Sequence, residues 1–172
     1  MHRPDRRWLL ALVLTCCAAT SHAQLNPPDP DWKEMQVAPP PPLRTEGLIP
    51  IDVPGSSLRF GVDPASISIG DDRIVRYVVV ATSSRGAVNA SYEGIRCDAG
   101  QVRLYARHDP QRGWVPVVDG EWRSVHETKY SRHSLIIARD GVCVGAGPNQ
   151  STRQIVRDLG GHGNGDWRFW NN

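Results

Sequence analysis

Six residues have the types that proton transfer and phosphate stabilisation require: Glu93, Arg96, Arg103, Tyr105, Arg107 and, further along, His126. A carboxylate can act as base, an imidazole as acid, and guanidinium groups can stabilise an anionic transition state, as in small secreted ribonucleases. Strand alternation weakens the simplest form of such a site. Glu93 shares a face with Ile95 and Cys97, whereas Arg96 points the other way with Tyr92. Arg103 and Arg107 fall on either face according to a register that the sequence alone does not set. The plainer expectation is a solvated sheet face with cross-strand ion pairs, each contributing about 0.2 to 1 kcal/mol. No catalytic residue is assigned.

A second group, Ser131, His133, Ser134 and Asp140, contains the types of a nucleophile, a base and an orienting acid, but no GxSxG elbow accompanies it. His126 and His133, with His108, His162 or Glu127, could in principle surround a metal. Without HExxH or comparable spacing they read as surface histidines, and no metal is expected. The GVCVGAG string at 141–147 lacks the glycine spacing and lysine of a phosphate loop, so no cofactor is expected either.

The elements that must position these groups are mostly short strands. Residues 58–62 and 66–69 read as strands before a Gly70-Asp71-Asp72 turn. The run 73–82 carries Val75, Tyr77 and Val79 on one face and Ile74, Val78 and Val80 on the other, which marks a central strand. Residues 87–97 continue the pattern, Asp98-Ala99-Gly100 connects, and 101–107 follow, with Val102, Leu104 and Ala106 alternating with Arg103, Tyr105 and Arg107. Asp119-Gly120 predicts a hairpin that brings Trp114 near Trp122. Two short helices are expected afterwards, 131–140 closed by Gly141 and 151–159 with the capping pair Ser151 and Gln154. The expected fold is α+β, a twisted, mainly antiparallel meander with two short C-terminal helices on one face.

Residues 1–23 have a basic start, an apolar run and small residues up to Ala23, the pattern of a cleaved secretory signal peptide. Arg6 and Arg7 leave open whether export is by the general or the twin-arginine route. Lipidation at Cys16 or Cys17 would need Gly or Ala just before the cysteine, where Thr15 and Cys16 stand. Residues 24–54 hold nine prolines and form an expected extended linker, in which Trp32 could dock on the domain and 48–53 could pair as an edge strand. A single domain is expected over 55–160, followed by a Gly-rich and aromatic tail, 161–172, with Trp167, Phe169 and Trp170.

The leader takes Arg3, Arg6, Arg7 and Asp5 with it. Lys+Arg then falls from 20 to 17 and Asp+Glu from 18 to 17, so the mature chain is neutral. A pI near 8.5 is thus no nucleic-acid footprint, and no nucleic acid is expected as partner. No transmembrane helix is expected in the mature chain. Cys97 and Cys143 remain, and in an exported chain one disulfide is the expectation, with two buried thiols or half of a metal site as alternatives. Closing a loop of that length would stabilise the fold by about 4 kcal/mol in the chain-entropy account.

Across residues 59–97, RFGVDPASISIGDDRIVRYVVVATSSRGAVNASYEGIRC, the chain resembles the cryptic neisserial protein family, exported proteins of Gram-negative bacteria. The strings VDPASISIG, VRYVVV and ASYEGIRC carry the resemblance. It implies a small single domain in the cell envelope, periplasmic or associated with the outer membrane, and brings no reaction, ligand or catalytic residue with it. The expected role is non-catalytic binding of an envelope protein or cell-wall component. The alternative is a small periplasmic hydrolase, ribonuclease-like, using the Glu/Arg/His face.

Overall fold

The computed structural model describes residues 30–127 and 132–161. The expected leader, Ser131, His162 and the aromatic tail from residue 162 onwards lie outside the described residues. The architecture is α+β, a mainly antiparallel sheet with two helices near its C-terminal end.

Strand β1 (Ile49–Ile51) pairs with β2 (Arg59–Val62), and β2 with β4 (Ile74–Thr82), which also receives the two-residue β3 (Ser68–Ile69). Next come β5 (Val88–Arg96), β6 (Gln101–Asp109) and β7 (Gly113–Pro116), each antiparallel to the one before. β4 is central, as its two apolar faces require, and pairs with β5 from Ile74 opposite Arg96 to Thr82 opposite Val88. Pro50 is tolerated because β1 lies at an edge. A 3₁₀ turn, Pro64–Ser66, replaces the start of the expected 66–69 strand. Asp63 caps it by accepting from the Ala65 amide.

The expected hairpin at Asp119-Gly120 does not form. β8 (Arg123–Ser124) pairs with the beginning of β6, at Gln101 and Val102, whereas β7 pairs with its far end. The loop between them runs back along the β6 edge, its start held by the Val117 amide donating to the Tyr105 carbonyl at 2.8 Å. Gly120 serves that close approach, since a Cβ there would lie 2.5 Å from the Leu104 carbonyl oxygen. Long-range contact with β6 has overridden a local turn signal.

One face of the sheet is covered by α1 (Arg132–Ile137), the π-helical turn Ala138–Val142 and α2 (Thr152–Gly160). Val75, Tyr77, Val79, Ile95 and Val102 meet Ile136, Ile137, Val142, Ile155 and Leu159 in the main core. Gly141 does not close the first helix as expected: it lies inside the π turn. A Cβ there would meet Leu159 Cγ at 2.7 Å, so glycine lets α2 approach. Ser151 caps α2 through the Gln154 amide at 3.2 Å, but the Gln154 side chain turns to Asp158 instead of completing the expected box. The Cys97–Cys143 disulfide, Cα atoms 5.7 Å apart, ties the end of β5 to β9 (Cys143–Val144), which pairs with β10 (Gly147–Pro148).

Residues 30–48 cover the opposite face. They form neither helix nor strand, in keeping with their prolines, and lie along a second apolar cluster of Val78, Val80, Ala90, Tyr92 and Ala106. Val37, Leu43 and Leu48 supply the strap's side of that contact.

Candidate functional site

Two polar centres are built into this sheet, one on each face. On the helix side, Tyr77 and Glu93 are cross-strand neighbours of β4 and β5. The first turn of α1 lowers His133 and Ser134 onto them. Glu93 is buried and accepts from three side chains: the Tyr77 hydroxyl at 3.0 Å, the Ser134 hydroxyl at 3.1 Å and His133 Nε2, which lies 3.0 and 3.2 Å from the two carboxylate oxygens. The His133 ring stacks on Phe60 at 5.1 Å. Burial disfavours a charged Glu93, but the imidazolium and the donors outweigh it and hold the carboxyl below its ordinary range. Burial likewise opposes a charged His133, and the Glu93 carboxylate overcomes it to raise the imidazole. Burial, then the adjacent carboxylate, pushes the Tyr77 hydroxyl well up.

This pair forms part of the wall of a cleft of about 690 Å³, bounded by Ser91, Leu104 and Arg107 of the sheet and by the 117–123 loop. A neighbouring hollow of about 450 Å³, lined by Phe60, Val79, Ala81 and Arg132, shares Ser91 and His133 with it. Arg107 reaches the cleft through a β-bulge. Ser91 pairs with Arg107 and Tyr92 with Ala106, but Glu93 pairs with Leu104, leaving Tyr105 as the extra residue. The expected alternation along β6 is therefore broken: Arg107 joins the face of Leu104 and Glu93, while Ala106 joins that of Arg103 and Tyr105.

On the strap side Glu34 is the organising residue. It accepts from Arg103 Nη1 and the Tyr105 hydroxyl, both at 2.5 Å, and from Trp122 Nε1 at 3.2 Å, with Arg76 3.6 Å away. Burial first, then Glu34, raises the Tyr105 hydroxyl far above its usual value. Trp32 lies under the Arg96 guanidinium at 3.9 Å and donates to the Asp72 carbonyl, while Asp72 forms a two-pronged pair with Arg76. Trp114 and Trp122 do not meet across a turn. Trp114 donates to the Pro41 carbonyl at 2.8 Å, and Trp122 meets Trp32 edge-on at 5.9 Å.

The six residues singled out from sequence are thus divided. Glu93 and Arg107 share the cleft, Arg96, Arg103 and Tyr105 serve the strap, and His126 lies exposed in the loop after β8. Of the second group, His133 and Ser134 both bond Glu93 and Asp140 pairs with Arg139 at 2.7 Å, so no serine–histidine–acid relay is assembled among the described residues. His108 packs against Trp114. Among the described residues no three potential ligands gather for a metal, and no helix is long and apolar enough to cross a membrane. Sequence reasoning missed the Glu93–His133 pairing and the whole Glu34 centre. A carboxylate placed among Ile95 and Cys97 was the available signal for the first, because a charge on a buried face needs a partner. Glu34 offered no local signal.

No curated protein and no solved structure matches the chain. The model of the CNP1-like family matches residues 28–160.

Proposed function

The chain belongs to the CNP1-like family, and from that premise we propose that it is an exported, non-catalytic domain of the cell envelope. It binds an envelope protein or a cell-wall component through the helix-side cleft, in the periplasm or at the outer membrane after cleavage behind Ala23. The observation that carries this reading is the cleft itself, where Arg107 is turned inward by a bulge beside a carboxylate already engaged by three donors. Such a wall is suited to recognition: its buried acid is committed to holding α1 on the sheet, and its free charges stand around it. The ribonuclease-like alternative, drawn on Glu93, the β5 and β6 arginines and His126, has less support: Arg96 and Arg103 lie on the strap side and His126 in the loop after β8, and the imidazole that does share the cleft with Glu93, Arg107 and Arg123, that of His133, is bonded to Glu93.

Two measurements test the proposal. Mass spectrometry of the chain purified from its own cell envelope should give residues 24–172 less two hydrogens. The same material should be retained on envelope fractions, and the Arg107→Glu/Arg123→Glu variant should lose that retention. Undiminished retention by the variant would remove the cleft from the binding role.

A further inference from the structure

Resting on the reading that this cleft is where the chain binds, we infer that its ligand is a short dipolar peptide with a free carboxylate and a free ammonium group. The carboxylate sits on Arg107 and the ammonium group against Asp119 and Glu121.

Besides the paired Glu93 and His133 and the engaged Glu127, the cleft carries both signs of charge on exposed side chains. Arg107, Asp119, Glu121 and Arg123 all line it and all are exposed. None of the four side chains has a hydrogen-bond or ion-pair partner among the described residues. Opposite charges within reach in one concavity would pair; these stay beyond 4.0 Å, the span of an ion pair, and leave a gap that a ligand bearing both signs can bridge. The Glu93–His133 pair adds no net charge to the wall, and Glu127, a further carboxylate on the lining, has an interaction of its own. A simple anion would meet Asp119 and Glu121, and a simple cation would meet Arg107 and Arg123. Val102, Leu104 and Val117 also line the cleft and provide apolar surface for small side chains.

Arg107 is also placed with some structural commitment. The bulge that re-aims it is accommodated by Gly94, over which the Tyr105 ring lies; a Cβ at 94 would stand 2.7 Å from that ring. Without the extra residue, Arg107 would face the strap. A guanidinium so delivered and left without a partner is a natural two-pronged receptor for a carboxylate.

The test is a titration of the purified chain with trialanine, N-acetyl-trialanine and trialanine amide, followed by NMR at the amides of Ser91, Arg107 and Gly120. Free trialanine should shift these amides saturably, and each blocked form should bind about fivefold more weakly. Arg107→Gln should abolish the penalty of amidation alone, and Asp119→Asn/Glu121→Gln that of acetylation alone. Equal binding of free and blocked peptides would overturn the inference while leaving the cleft a binding site. No shift with any of the three would also overturn it; whether the broader binding role falls too is then read from envelope retention of the Arg107→Glu/Arg123→Glu variant.

Discussion

Glu93 is the residue on which the helix side depends, because it joins β4, β5 and α1 through one carboxylate. Its lowered folded pKa means that its contribution is present above the ordinary value of 4.5 and is lost as pH falls through the folded value. His133 is raised, so its contribution is full below the ordinary 6.5 and is lost as pH rises through the higher folded value. The two overlap between those limits. Glu93→Gln should therefore cost about 3 kcal/mol in urea unfolding near pH 6, with the gap to the wild type narrowing towards pH 9. A flat difference across that range would show that the histidine is not charged in the folded chain. Sequence alone placed Glu93 on the Ile95 and Cys97 face and put His133 in a helix. It could not join them, since the pairing spans 40 residues and depends on how α1 crosses the sheet.

At the scale of elements, the β6 bulge sorts side chains between the two faces. Gly94→Ala would push a methyl group into Tyr105 and into Ile74 Cγ2, 2.9 Å from the new Cβ. We expect a loss of about 1 to 3 kcal/mol, together with altered tryptophan fluorescence as Tyr105 releases Glu34 and the strap around Trp32 and Trp122. Unchanged fluorescence would separate the bulge from strap seating. The strands themselves were legible because alternation and turn residues act over a few positions: Val75, Tyr77 and Val79 against Val78 and Val80 identified β4 as central. A bulge is a property of two strands together, so the 101–107 pattern read correctly up to Tyr105 and then reversed at Ala106 and Arg107. Asp119-Gly120 failed for the same reason, its glycine being required by a neighbour's carbonyl rather than by a turn.

For the whole molecule, the disulfide and the strap are the long-range ties. The Cys97–Cys143 bond spans 46 residues and fastens β5 to the segment behind the π turn. Replacing both cysteines by alanine should lower stability by about 3 to 4 kcal/mol, measured by thermal or urea unfolding, and a cost below 1 kcal/mol would mean that helix packing alone sets that end of the core. Cysteine count and the expectation of export made this bond readable from sequence, whereas composition described the proline-rich stretch without revealing the surface beneath it. That stretch is synthesised before any part of its seat. Arg103 follows Glu34 by 69 residues and Trp122 by 88, so the polar anchors that hold the strap over Val78, Val80, Ala90 and Tyr92 come from far along the chain. Left uncovered, a β surface of that kind invites self-association, and in the folded chain residues 30–48 mask it. A chain shortened to begin at residue 49 should accordingly aggregate, seen as light scattering on refolding, at concentrations where the whole chain stays clear, and adding a peptide of residues 30–48 in trans should suppress it.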